Sequence, residues 1–216
     1  MARKITSIVL KSIVVVSVIV GLTLYMVERV SHMLFFTLQS NIWIGVTCIV
    51  GLVLMIAKVQ LERWMYVVKL TFTVSITLTG VVYCTMLAPF LGSQAFTLAS
   101  TLLHVIVPVA AVADFFVYDY AGVYKWWDCL IVTVPPFYYL AFAGVGYALN
   151  WDFLDGLNYP YFFLDWGSPA GAFGFSKQSP YIGVFYYVLI LLAFVVGVGA
   201  LYVFLAKVVA KKVAKQ

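Results

Sequence analysis

The sequence predicts an all-α integral membrane protein with six transmembrane helices, and three observations predict it. Hydrophobic residues fill 65% of the 216 positions and charged residues only 10%, with a mean hydropathy of +1.07, a composition suited to lipid rather than water. The apolar residues fall into runs long enough to cross a hydrocarbon layer, which takes about 20 helical residues because each backbone polar group must be satisfied within its own segment. Basic residues collect in alternate connections, as membrane topology requires.

In chain order the spans read 5–27, 34–57, 66–87, 96–118, 126–149 and 181–206. Arg3 and Lys4 lead into the first. It is long enough to be a retained helix, and no small-residue cleavage site follows it. The second opens with a polar interruption, Thr37, Gln39, Ser40 and Asn41, and the fourth carries Thr97, Ser100, Thr101, His104 and Pro108. Glycines in the fifth and sixth, Gly144, Gly146, Gly183, Gly197 and Gly199, suit close or adjustable helix contacts. The connection 150–180 is rich in Gly and Pro and too polar to span. It reads as one long outer loop, a lid or cap, between helices 5 and 6. The whole chain, 1–216, is thus one transmembrane domain with a basic tail at 207–216.

The net charge of +5 marks topology rather than a nucleic-acid partner. Arg3, Lys4, Lys58, Arg63, Lys125, Lys207, Lys211, Lys212 and Lys215 fall on the side of the termini, and only Arg29 and Lys177 on the other. The positive-inside rule makes both termini cytoplasmic and the protein a multi-pass protein of the cell membrane. Lys11 and Lys69, near the same ends of their helices, are expected to snorkel to the headgroups. Asp114 reads as a structural polar residue on that side. The tail suits anionic lipid, and membrane lipids are the expected partners. Cys48, Cys84 and Cys129 match no zinc or redox spacing, the loop residues Asp152, Asp155 and Asp165 no calcium motif, and neither metal nor cofactor is expected. Trp64, Trp126, Trp127, Trp151 and Trp166 mark the boundaries.

Thr37, Ser40 and Asn41 share a helix face by their i, i+3, i+4 spacing. His104 lies about eight residues into its span, roughly 12 Å along the axis, so both polar stripes belong to the outer half of the bilayer. Two readings stand side by side. Hydroxyl and amide side chains join helices in membranes, whereas an intramembrane histidine marks a functional site by default. Chemically, Thr37 with His104 supplies a nucleophile and its base. Asn41, Tyr83 or Asp165 would orient the imidazole, and Gln39, Ser40 or Asn41 would hold an oxyanion. A small transporter or channel, with a polar path through helices 2 and 4, is the alternative class. A haem protein would need a second facing ligand, and His32 sits too near the boundary.

The segments "FFTLQSN", "LTGVVY", "LLHVIVP", "YKWWDCLIVTVPPFYYLAF" and "YPYFFLD", in that order and helix placement, resemble a prokaryotic six-span branch of the androgen-induced-gene and androgen-dependent TFPI-regulating-protein family of integral membrane hydrolases. That resemblance implies a threonine hydrolase cleaving fatty acid esters of hydroxy fatty acids or related lipid esters. By motif, its threonine falls on Thr37 and its histidine on His104.

Overall fold

The computed structural model describes residues 2–28, 33–119 and 123–213. Arg29, His32 and Lys215, placed above by sequence, lie outside the described residues. Six helices are long and apolar enough to cross a membrane: α1 (Ala2–Val27), α2 (Phe36–Ala57), α3 (Arg63–Leu91), α4 (Leu98–Val117), α5 (Asp128–Ala148) and α6 (Val184–Val213). The chain is a multi-pass, all-helical membrane protein, and among the described residues extended pairing is limited to two isolated bridges.

Helices α1 to α4 pack as a core in which α1 contacts α2 and α4, and α3 contacts α2 and α4; α5 and α6 lean on α3. Val14, Val18, Ile44, Cys48, Ile76 and Val107 fill the first group. The second is filled by Leu70, Val74, Phe115, Tyr139, Val195 and Val203. Outward-facing Val16, Val53, Val109, Val134 and Ile190 remain exposed, as lipid-facing residues do.

Contacts fix the two ends of the bundle. Lys4 Nζ donates to Met55 O at 3.2 Å, Arg63 pairs with Asp128 at 2.6 Å, and Lys207 lies over the Trp126 ring at 4.2 Å, so this is the basic end. At the opposite end the segment 150–180 folds over the helices through Phe35 against Phe153 and Tyr161 and Phe90 against Phe162. Helix α6 continues through Lys207, Lys211 and Lys212 to Val213, so the basic tail is helical as far as it is described.

Prolines shape three helices. Pro135 and Pro136 lack N–H groups, and α5 divides into Asp128–Ile131 and Val134–Ala148. In α3 and α4 the proline instead follows one turn of π-helix, Tyr83–Leu87 before Pro89 and Leu102–Ile106 before Pro108. The Ala88 N–H bonds Tyr83 O and the Val107 N–H bonds Leu102 O. Such wide turns concentrate at functional sites, and here they carry Tyr83 and His104.

The snorkelling expected of Lys11 and Lys69 is overturned. They are 2% and 5% exposed. Both ammonium groups reach Asp114 Oδ2 at 2.8 Å, and Lys11 also reaches Asp119 at 2.9 Å. Burial of an ammonium is tolerated when carboxylates pair with it, and these partners lie more than forty residues away in sequence, so neither helix alone reveals them.

Candidate functional site

Thr37 is the second residue of α2, and His104 sits in the π turn of α4. Both line one cavity of about 500 Å³ at the loop end, together with Tyr25, Phe35, Tyr83, Leu87, Phe90, Tyr161 and Phe162. Its walls are mostly apolar. A volume of this size matches small-molecule sites. The loop supplies Leu154, Pro160, Tyr161, Phe162 and Ser179 to it, so the segment 150–180 is part of the cavity wall.

His104 is 5% exposed and is held on two sides. Its ring stacks on Tyr83, with centroids 3.6 Å apart and planes at 21°. Its Nδ1 lies 2.9 Å from the Ser100 carbonyl oxygen. A carbonyl only accepts, so Nδ1 must be the protonated nitrogen, and in a neutral ring Nε2 carries the lone pair. Among the described residues Nε2 has no hydrogen-bond partner. Ser100 Oγ in turn donates to Tyr83 Oη at 2.6 Å, and Tyr83 Oη donates to Ala95 O. The orienting groups are therefore Ser100 and Tyr83, both fixed from the helix turn before the histidine or from the facing π turn.

Thr37 is 8% exposed and occupies a helix N-terminus. The first bonds of α2 run from Leu38 and Gln39 N–H to Phe35 O, so the N–H groups of Phe36 and Thr37 are left over from the intrahelical ladder. The Thr37 N–H donates to Tyr161 Oη at 3.4 Å. Burial pushes the Tyr161 hydroxyl up, while its bonds to Thr37 partly oppose that. It remains a neutral donor. Partial positive charge at the start of a helix favours an anion there.

The three polar neighbours of Thr37 in sequence are engaged elsewhere. Ser40 Oγ bonds Thr37 O at 3.0 Å and Thr79 Oγ1 at 2.7 Å, joining α2 to α3. Asn41 Nδ2 donates to Thr37 O at 2.8 Å and to Leu103 O at 3.2 Å; that second carbonyl is the one released by the π turn. Gln39 Nε2 reaches Met33 O at 3.4 Å. None of the three is among the residues that line the cavity; their bonds are interhelical and helix-start ones. Asp165 is engaged within the loop. Its Oδ1 accepts from the Gly167 N–H at 2.9 Å, closing a turn in the loop.

The bundle also carries detail that sequence reading lacked. Gly80 of α3 faces the His104 turn so closely that a Cβ there would stand 3.0 Å from His104 O and 3.1 Å from the Pro108 ring. By contrast, Gly146 packs on Phe153 and Gly199 on Val132, and Gly144 and Gly197 have nothing within 4 Å of an added Cβ; none lines the cavity with Thr37 and His104. His104 also borders a second space of about 550 Å³ between α3 and α4, with Gly80, Cys84 and Pro108. Tyr161 reaches α2 only through the folded loop, so no local sequence pattern marks it. Ser100 was legible as the residue one helical turn before His104. Among the described residues no group of three or more His, Cys, Asp or Glu is placed to hold a metal ion.

No family model, no curated protein and no solved structure matches the chain.

Proposed function

We propose that the chain is an intramembrane lipid ester hydrolase of the cell membrane, with Thr37 as nucleophile and His104 as general base. The observation that supports it most directly is the sharing of one largely apolar cavity by Thr37 and His104, from helices sixty-odd residues apart, with the histidine presenting Nε2 as its basic nitrogen. The resemblance of "FFTLQSN" and "LLHVIVP" to the threonine-hydrolase family points the same way. An acyl ester of a hydroxy fatty acid, or a related lipid ester, fits the apolar walls.

In this reading His104 Nε2 takes the proton as Thr37 Oγ1 attacks the ester carbonyl. The tetrahedral oxyanion forms at the start of α2, where Tyr161 Oη and the N–H groups of the first turn stabilise it. The alcohol leaves with the proton from His104. An acyl-threonine remains, and water deprotonated by His104 attacks it to release the fatty acid and restore the hydroxyl. The opening between α3 and α4 beside His104 offers a route from the bilayer.

Hydrolysis of lipid ester by the purified protein tests the reading. Thr37→Ala and His104→Gln should fold as the native chain does and lose nearly all turnover, while Thr37→Ser retains part of it. The hydroxyl alone is worth only about 0.6 kcal/mol of stability in a membrane bundle, so melting should barely move. Equal hydrolysis by native protein and Thr37→Ala would end the proposal. One observation favours a second reading, transport: the buried cluster of Lys11, Lys69, Asp114 and Asp119, since ionisable groups inside a membrane often mark ion paths. Flux in proteoliposomes that depends on Asp114, with no ester hydrolysis, would decide for it.

A further inference from the structure

A second cavity, of about 340 Å³, lies between α2 and α3 toward the basic end. It is walled by Trp43, Val46, Val50, Leu54, Val68 and Phe72 and ends on Lys11, Lys69 and Asp119. Its α2 wall, from Trp43 to Leu54, covers about 16 Å of helix axis. Val46 and Val50 are about half exposed, so the slot opens sideways to lipid. The hydroxyl of Thr47 in its wall is spent on Trp43 O at 2.7 Å.

The ionic end of the slot is asymmetric. Lys11 Nζ is saturated by Ser7 Oγ at 2.9 Å, both oxygens of Asp114 at 2.9 and 2.8 Å, and Asp119 Oδ2 at 2.9 Å. Asp114 is saturated too, since Ser7 Oγ donates to Oδ1 at 2.6 Å and Lys69 to Oδ2 at 2.8 Å. Lys69 is not. Among the described residues its ammonium meets, beyond Asp114, only the Cys48 sulfur at 3.6 Å and Asp119 Oδ2 at 3.6 Å, so an ammonium with three donors makes one short bond. A buried cation with donors to spare, at the ionic end of an apolar slot, asks for an anionic acceptor carried on an apolar chain.

We propose that this slot binds a long-chain monocarboxylate, its head on Lys69 and its chain lying between α2 and α3. Burial pushes the Asp119 carboxyl up, against the pull of the two lysines. A carboxyl disfavoured as the anion competes less for Lys69, and the ligand carboxylate accepts the N–H that this ammonium leaves unspent. The site is separate from the Thr37 cavity and does not depend on ester hydrolysis. The acid has two conceivable sources, the bilayer's free fatty acids or a hydrolysis product, with the same chemistry.

Equilibrium binding of radiolabelled palmitate to the full-length protein in detergent, with hexadecanol as the uncharged chain of equal length, tests the site. Native protein should bind palmitate and not hexadecanol. Lys69→Met should weaken binding about tenfold or more, the worth of a charge-assisted hydrogen bond. Val50→Trp, at an exposed position that fills the slot without touching the ion cluster, should do the same if Lys69→Met fails to fold. Thr37→Ala should bind as the native chain does. Equal affinity for palmitate and hexadecanol, unchanged palmitate binding in Val50→Trp, or its loss in Thr37→Ala would each overturn the proposal, the last by placing the acid in the other cavity. Fatty acid co-purifying with both native protein and Thr37→Ala assigns the occupant to the bilayer; acid found with the native chain alone assigns it to hydrolysis.

Discussion

A histidine can act as a base only if one nitrogen is held protonated and the other is left free, and at His104 a backbone atom does the holding. The Ser100 carbonyl accepts from Nδ1, whereas the Ser100 hydroxyl bridges to Tyr83. Ser100→Ala therefore keeps the tautomer. Its turnover should fall by well under the roughly 100-fold that losing a general base costs. Tyr161 is different, because its hydroxyl accepts the Thr37 N–H at the start of α2 and stands where the oxyanion would form. Tyr161→Phe should lower kcat about 10²–10³-fold, the cost of one oxyanion donor, with KM nearly unchanged; a rise in KM alone would instead make Tyr161 a wall of the cavity. The residue types of the candidate pair were legible from sequence, since a histidine within an apolar span and a threonine opening one stand out against lipid-facing neighbours. Their supporting residues were not. Asn41, Ser40 and Gln39 have the right chemistry at the right helical spacing, but a side chain's donor can be spent on a carbonyl that only the folded bundle exposes, as Leu103 O takes Asn41.

At the scale of the helix, sequence showed how many spans exist and roughly where, because length and apolarity are local properties. The interruptions within them were less visible. A proline in a run says that one backbone bond is missing but not whether the helix breaks, as at Val132 and Thr133, or widens, as at Leu102–Ile106. In α4 the wide turn is supported from outside, by Asn41 of α2 and by the bare face of Gly80 on α3. Gly80→Ala places a methyl at 3.0 Å from a backbone oxygen, tighter than neighbours normally allow. Gly80→Leu should destabilise the bundle by about 1–3 kcal/mol, as overpacking does. Because the added atoms press on the His104 turn itself, ester hydrolysis by Gly80→Ala should drop even where its melting temperature is close to native. Full activity with a lowered melting temperature would make the contact purely structural.

Over the whole molecule, charge is sorted between two ends, and the buried ions belong to that order. Asp114 is fully buried and accepts from both lysines and Ser7. Asp114→Asn leaves two ammonium groups against one carboxylate and should cost about 3–5 kcal/mol, the loss expected for a broken buried pair, read as a lowered midpoint in thermal unfolding. Removing one charge of each sign, in Lys69→Met with Asp119→Asn, should cost less than Lys69→Met alone, since the Lys11–Asp114 pair stays whole. Snorkelling lysines would give small, additive losses instead. The same sorting sets orientation. Lys4, Arg63, Lys125 and Lys207 meet at the end opposite the loop 150–180, and an excess of Lys and Arg in short connections marks the cytoplasmic face. In a cysteine-free background expressed in intact cells, Lys177→Cys should react with an impermeant thiol reagent, and Lys58→Cys should react only after the membrane is opened. That pattern puts the mouth of the Thr37 cavity on the outer leaflet, where a lipid ester would have to arrive. The reverse pattern would turn the molecule over and bring its substrate from the cytoplasmic leaflet.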